Sequence, residues 1–215
     1  MRSLTRLLTA LLLTGAAGST AHALESVWAR LPAALPVDSL APALQRIEAA
    51  GPRATAAAAA YALGQFHQAR GEYRPASLAF GRAAARLQGD DRAEARYRQG
   101  LSLLGERSPD RARAAFEEVI LLSPPHRALA QLGLAQSFGL AGDAEQELNV
   151  LRRLLDGPAG EAEPAALERY AALCDRAHRA GESRAARERL LKRWPRSFEA
   201  ARLVAPPEPG PAGQP

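Results

Sequence analysis

Apolar residues recur along this chain at the three- and four-residue spacing of amphipathic helices, and the pattern itself repeats. A shift of 36 residues within the stretch 57–126 places Gly64 on Gly100. The same shift places Phe80 on Phe116, so that small and large apolar positions recur together. A repeat of this length predicts an all-α solenoid of stacked helical hairpins, in which each hairpin buries its apolar face against the next.

Turn-forming residues divide each repeat into two helices. Gly71 follows the first helix of the first unit, as expected of a residue that readily takes the left-handed conformation found at helix ends. In the second unit Ser108-Pro109-Asp110 combines a capping residue, a first-turn proline and a first-turn acid, and therefore predicts the start of a helix. Ser123-Pro124-Pro125 ends that helix and the unit.

Two weaker units follow the first pair. A shift of 35 residues from the second unit places Ala135 in the small-residue position of Gly100. A further shift of 39 places Cys174 in that position and Leu190 in the large-residue position of Leu151. We expect the small residues where two helix backbones approach, and the large ones where the second helix fills the space between hairpins.

Residues 1–23 have the pattern of a secretory signal peptide. Two arginines give a positive start, residues 7–17 form an apolar core too short to span a bilayer, and Ala21-His22-Ala23 is a small-x-small cleavage site. We therefore predict an exported mature chain that starts at Leu24 and is periplasmic or secreted in a bacterium. An uncleaved anchor helix is the alternative.

Three further segments are predicted in the mature chain. Residues 24–56 form a helical lead-in, with Leu40 and Leu44 on the apolar side of its second helix, and we expect it to cover the open face of the first repeat. A dimerisation or docking helix is the alternative. Residues 57–204 form the repeat domain, which a short helix closes. Residues 205–215 are rich in proline and glycine and are expected to be disordered, or to tether the solenoid to another component.

The composition agrees with an all-α protein that exposes mixed charges. Apolar residues make up 47% of the 215 residues, and most are the strong helix formers alanine and leucine. The net charge is +5, but the arginines alternate with acids along the predicted helices, which is typical of a solvated surface. We therefore predict no nucleic-acid partner. No stretch after the signal peptide is apolar enough to cross a membrane, and a lone cysteine excludes an intramolecular disulfide.

The repeats resemble the tetratricopeptide repeat (TPR). The residues that carry the resemblance lie in two consecutive units and are Leu63, Gly64, Gly71, Glu72, Tyr73, Ala76, Phe80 and Ala83, then Gly100, Ala112, Phe116, Val119 and Pro124. The third unit departs from the pattern at Glu147, where the family prefers alanine. The resemblance implies about four antiparallel helix pairs in a right-handed superhelix, with the first helix of each pair lining a concave groove. It also implies an interaction scaffold rather than an enzyme.

The resemblance places the candidate partner-binding residues on the groove side of the first helices. They are Tyr61, Gln65 and Gln68 in the first unit and Glu94, Tyr97, Leu101 and Leu104 in the second. The corresponding residues of the last unit are Glu168, Asp175, His178 and Arg179. Tyrosines beside glutamine and leucine suit an apolar contact with hydrogen bonds to a peptide. Packing of Tyr61 and Tyr97 against adjacent helices is the alternative.

No motif in the sequence predicts a catalytic residue, a cofactor or a metal. Cys174 and His178 stand four apart, a spacing that metal ligands use, but there is no second pair, and packing explains a cysteine in a small-residue position. His67 is expected inside a hairpin, and His126, which follows a double proline, is expected to be exposed. The sequence contains no phosphate loop, dinucleotide fingerprint or hydrolase motif.

These patterns favour an exported scaffold that presents a concave helical groove to a peptide or partner protein in the cell envelope. A narrower alternative is an accessory factor that docks onto envelope-assembly or cell-wall machinery. The alternative of a different class is an enzyme. Hydrolase activity of the purified protein, abolished by changing one acidic residue, would favour that class.

Overall fold

The computed structural model describes residues 25–27, 29–31 and 36–204, and within these ranges the regular structure is entirely helical. The helices are α1 (Val37–Ala50), α2 (Arg53–Ala69), α3 (Tyr73–Arg86), α4 (Gly89–Gly105), α5 (Pro109–Leu122), α6 (Arg127–Leu140), α7 (Ala144–Asp156), α8 (Glu163–Arg176), α9 (Ala180–Arg193) and α10 (Phe198–Val204). A short 3-10 helix (Gly160–Ala162) precedes α8. The predicted signal peptide and the proline-rich tail lie outside the described residues.

The helices pair in chain order into four hairpins, α2 with α3, α4 with α5, α6 with α7 and α8 with α9. Neighbouring hairpins pack through α3 and α4, α5 and α6, and α7 and α8. At the start, α1 lies against α2, and its Leu40 and Leu44 are buried in the same cluster as the first hairpin. At the other end, α10 lies against α8 and α9. The fold is the all-α helical solenoid that the repeat predicted.

Two glycine–phenylalanine pairs are in contact within their hairpins. A Cβ atom at Gly64 would lie 2.7 Å from the ring of Phe80, and one at Gly100 would lie 2.6 Å from the ring of Phe116. Both rings are fully buried. Each glycine therefore makes room for an aromatic ring from the second helix of its own hairpin. The sequence predicted that these glycines lie where two helix backbones approach, whereas the atoms nearest to each added Cβ belong to a phenylalanine ring.

All four hairpins turn with the same backbone geometry. One residue of each turn is left-handed: Gly71 (φ 72°), Arg107 (φ 59°), Gly142 (φ 83°) and His178 (φ 57°). The next N–H donates to a carbonyl five residues earlier at 2.8 or 2.9 Å: Glu72 to His67, Ser108 to Leu103, Asp143 to Phe138 and Arg179 to Cys174. The left-handed conformation costs a residue with a side chain roughly 1–2 kcal/mol, and Arg107 and His178 bear that cost.

This turn geometry corrects the predicted register of the fourth hairpin. His178 occupies the turn position of Gly142, which is a shift of 36 residues and not the predicted 39. By the same shift the small-residue position of Ala135 is followed by Ala171, which is buried, and not by Cys174. The sequence was misread because a histidine makes a turn that glycine usually makes.

The corrected register also changes the second helix of the fourth hairpin. Leu190, which is fully buried, follows Leu154 and not Leu151. Arg187 stands in the position of Leu151 and pairs with Asp175. The large apolar position of the first three hairpins is therefore lost in the fourth, where an ion pair between the two helices takes its place.

Charged groups enter the core of the last two hairpins. Glu147, where the first two hairpins have alanine, is 2% exposed and forms a salt bridge with Arg169 of α8. Glu163 is equally buried, and its carboxylate accepts hydrogen bonds from Arg189 at 2.7 Å and from the indole of Trp194 at 3.0 Å. Because an unpaired buried carboxylate is strongly destabilising, each acid depends on its partners.

Candidate partner-binding groove

The predicted partner-binding residues of α2 and α4 divide into a buried set and a half-buried set. Tyr61, Gln65 and Glu94 are buried, with 1%, 7% and 9% of their surface exposed. The half-buried residues are Gln68, Tyr97, Leu101 and Leu104. We call these seven residues the groove face. In this structure the half-buried set supplies most of the side-chain surface that a partner can reach.

Tyr61 and Glu94 join α2 to α4. The Tyr61 hydroxyl donates a hydrogen bond to Glu94 Oε1 at 3.2 Å, and Nε of Arg98 donates to the same oxygen at 2.7 Å. Burial, together with the neighbouring Glu94 carboxylate, raises the pKa of Tyr61 well above its usual value. Tyr61 therefore packs between helices, as the alternative from the sequence had it, and fixes α4 against α2.

The Glu94 carboxylate also contacts the turn that leads into α6. His126 Nε2 lies 3.3 Å from Glu94 Oε2, and His126 Nδ1 lies 2.8 Å from the Ser123 hydroxyl. That hydroxyl donates a hydrogen bond to Asp90 at 2.7 Å. The expectation of an exposed His126 was wrong, because the turn brings the imidazole back onto α4. We call the six residues of this network the Glu94 cluster: Tyr61, Asp90, Glu94, Arg98, Ser123 and His126.

The Glu94 cluster brings a serine, a histidine and a carboxylate into contact, which are the residue types of a catalytic triad. The Ser123 side chain is fully buried, and its hydroxyl proton is directed to Asp90. A nucleophile must be reached by its substrate, and in this structure Ser123 is not accessible. What the cluster does here is hold the first, second and third hairpins together.

The half-buried residues of the groove face combine exposed apolar surface with core contacts. Tyr97, Leu101 and Leu104 pack against the buried cluster of the second hairpin and leave part of each side chain exposed. On α2, one turn after Tyr61, the buried side-chain oxygen Oε1 of Gln65 has no hydrogen-bond partner among the described residues. Buried polar atoms are normally paired, so this oxygen is an exception, and because it is itself buried a partner does not reach it in this structure.

The candidate residues of the last unit do not form one helical face. His178 and Arg179 lie beyond the end of α8, which contradicts their predicted place on that helix. Two other candidates are on α8, and both carboxylates are in ion pairs. These pairs are Glu168 with Arg202 at 3.1 Å and Asp175 with Arg187 at 2.5 Å.

Cys174 and His178 do not come together as metal ligands in this structure. Cys174 is buried in the core of the last two hairpins, and burial raises the pKa of its thiol. His178 is exposed, after the end of α8. Within the described ranges, no group of three or more metal-binding side chains could hold a metal ion.

Sequence reasoning missed three members of the Glu94 cluster. Arg98 had a signal, because a glutamate four residues before an arginine on one helix favours an ion pair. Ser123 and Asp90 had none, because their hydrogen bond joins residues 33 positions apart. Contacts of this kind follow from how the hairpins stack, and no local pattern encodes them.

Solved structures that are similar to this chain include TPR proteins. The chain superposes on YrrB, described as a TPR protein with an unusual peptide-binding site, with a TM-score of 0.56 and 14% identity over 78% of this chain and 84% of YrrB. A putative kinesin light chain of Podosopora anserina with nearly identical TPR-like repeats gives a TM-score of 0.59 and 16% identity over 75% of this chain and 88% of that chain. A single-substitution variant of the same kinesin light chain gives a TM-score of 0.59 and 14% identity over 75% of this chain and 89% of that chain.

The fold of this chain is therefore that of the TPR solenoids, in agreement with the resemblance noted in its sequence. Sequence identities of this order establish the fold alone. Neither a protein-family model nor a curated protein sequence matches the chain. Of the helices in the described ranges, none has the length and apolar character needed to cross a membrane.

Proposed function

We propose that this chain is a protein–protein interaction scaffold that presents its groove face to a peptide or partner protein. One observation carries the proposal: the groove face combines the half-buried apolar surface of Tyr97, Leu101 and Leu104 with the half-buried amide side chain of Gln68. An extended peptide needs both kinds of contact, because its side chains require apolar surface and its backbone N–H and C=O groups require polar partners.

Two further points support the proposal. The first is that YrrB, which has this fold, is described as having a peptide-binding site. The second is that the Glu94 cluster links α2, α4 and the turn before α6 by hydrogen bonds. A face held in place before its partner arrives loses less conformational entropy on binding, which favours affinity.

We also propose that the chain is exported and acts in the cell envelope, in the periplasm or as a secreted protein. The support is the sequence of residues 1–23, which lie outside the described residues. An exported scaffold would meet its partner on the far side of the cytoplasmic membrane. Fractionation of the cells used for the experiment below tests this location.

Site-specific photo-crosslinking in cells tests the groove. A photoreactive amino acid replaces Tyr97 on the groove face or, as a control, Glu117, which is exposed on α5. We expect one dominant adduct, identified by mass spectrometry, from position 97 and none from position 117. Leu101→Asp places a charge on the same face and is expected to remove the adduct, whereas Glu117→Lys is expected to leave it.

Two results would contradict the groove. One is an adduct from position 117 alone, and the other is an adduct from position 97 that survives Leu101→Asp. Circular dichroism of each purified variant shows whether the helices are intact, so that a loss of fold is not taken for a loss of binding. Recovery of the adduct in the cytoplasmic fraction would contradict export while leaving the groove supported.

A further inference from the structure

A second concave surface lies at one edge of the solenoid, outside the groove face. The turn between α5 and α6 and the loop between α7 and α8 enclose a cleft of about 660 Å³. Its apolar lining includes Pro124, Ala128, Leu154, Pro158 and Ala159. Clefts of about 300–1,000 Å³ with apolar walls and a few polar groups are the usual form of ligand sites.

Two arginines of this cleft, Arg127 and Arg153, have no carboxylate partner among the described residues. Nε of Arg127 makes a long contact of 3.4 Å with the carbonyl oxygen of Ile120, and Arg153 is exposed. The neighbouring Arg152, in contrast, is paired with Glu182 at 3.5 Å. Guanidinium groups bind carboxylates strongly, so two of them beside apolar surface favour a ligand that is both acidic and apolar.

One acid, Glu161, also lines the cleft, which leaves the two arginines in excess. Burial raises the pKa of Tyr97 above its usual value, and the carboxylates of Glu94 and Glu161 add to that rise. Glu161 is therefore within electrostatic range of the groove face.

Exposed apolar surface continues beyond the cleft. Leu121 is 84% exposed and Leu122 is 42% exposed. These leucines end α5, immediately before the turn that lines the cleft. Neither leucine lines the cleft, so a small molecule inside it would leave them in water, whereas a longer peptide that passes Pro124 has the length to cover them. The surface therefore favours a polypeptide segment over a small ligand.

We propose that this cleft binds a peptide segment in which an apolar residue the size of leucine stands next to an aspartate or glutamate. The apolar side chain occupies the part of the cleft lined by Ala128 and Ala159, and the carboxylate pairs with Arg127 or Arg153. The site uses no residue of the groove face. The cleft can therefore be tested independently of the function proposed for the groove face.

A phage-displayed library of random linear heptapeptides, panned against the full chain, tests this site. Counter-selection on the variant with Arg127→Glu and Arg153→Glu removes peptides that bind elsewhere. We expect the recovered peptides to carry Asp or Glu beside Leu, Ile or Phe. Fluorescein-labelled copies should lose affinity by about tenfold or more for the double variant, measured by fluorescence anisotropy.

The matched control is Arg184→Glu, which reverses the charge of an exposed arginine on α9 that also has no ion pair among the described residues. It should change the affinity by less than about twofold, since a distant surface charge is screened by salt. Equal losses in the control and in the double variant would overturn the proposal, as would recovery of peptides without an acidic residue, or of none.

Two further variants separate the alternatives. Ala128→Trp fills the cleft without altering its charge and is expected to abolish binding, so retained binding would overturn the apolar part of the site. Leu101→Asp alters the groove face and is expected to leave the affinity unchanged. Loss of binding in Leu101→Asp would assign the peptides to the groove face and overturn the cleft. Circular dichroism and thermal melting confirm that each variant is folded.

Discussion

The first two hairpins and the last two share the same turns but differ in their cores. In the first pair, an aromatic ring of the second helix lies over a glycine of the first helix, Phe80 over Gly64 and Phe116 over Gly100. Among the described residues, neither hairpin of the last pair has such a contact between its own two helices, although Gly133 of α6 lies against the Phe116 ring of the second hairpin. The core of the last pair contains leucines together with two buried carboxylates, Glu147 and Glu163, that are paired with arginines.

This difference shows that the turn and the helix length set the shape of a hairpin, and that more than one kind of core can fill it. Steric fit makes the first pair sensitive to changes of side-chain volume. Ion pairing makes the last pair sensitive to the loss of one partner, because the other charge is then left buried. We therefore expect different kinds of substitution to destabilise the two halves of the solenoid.

Phe116→Ala is expected to have the largest effect on stability. The ring is fully buried and lies close to two glycines, Gly100 and Gly133. Its removal should lower the free energy of unfolding by roughly 3–5 kcal/mol, because the cavity cannot close completely. Urea denaturation followed by circular dichroism measures the change.

The control for Phe116→Ala is Leu122→Ala, at a partly exposed leucine of the same helix, which should lower the free energy of unfolding much less. A shift of only a degree or so in the melting temperature of Phe116→Ala would contradict the steric account.

The two partners of the ion pair between the third and fourth hairpins, Glu147 and Arg169, should differ in the stability that is lost when each is removed. Arg169→Ala leaves the Glu147 carboxylate buried without its partner and is expected to cost about 1–3 kcal/mol, since Arg169 itself is partly exposed. Glu147→Ala removes the buried charge, introduces the alanine of the first two hairpins and should cost much less. The double variant should be close to Glu147→Ala in a double-mutant cycle by urea denaturation. If the two single variants lose the same stability, Arg169 does not hold the carboxylate in the way described.

Substitutions in the turns should change the free energy of unfolding least. Their effects should not differ between the two halves of the solenoid, because all four hairpins share the same turn. Arg107→Gly and His178→Gly relieve a left-handed side-chain residue and are expected to raise the free energy of unfolding by about 0.5–1 kcal/mol each. Gly71→Ala and Gly142→Ala should lower it by a similar amount. Differential scanning calorimetry of the four variants checks the signs. A stability loss in Arg107→Gly would show that its side chain stabilises the turn by more than the strain costs.

The parts of the fold that sequence predicted well are those in which neighbouring residues decide the structure. Gly71 does make the first turn, and α5 does begin at Pro109. The predicted register of the fourth hairpin was wrong because His178 adopts the left-handed conformation, which is unusual for a histidine. Within the candidate site, sequence identified the helices and the residue types. It did not identify the hydrogen bond between Tyr61 and Glu94, which joins residues 33 positions apart.

By itself, the sequence determined the all-α fold, the repeat length and the residue types on the groove face, because helix propensity, apolar periodicity and turn residues act within a single hairpin. Only the tertiary structure decided which of those residues remain accessible. Stacking of the first hairpin on the second leaves Tyr61 and Glu94 buried and Tyr97 half-exposed. Stacking also brings the turn at Pro124 and the loop at Pro158 together into one cleft. Burial and concavity are properties of several packed helices, so a pattern read along one chain does not contain them.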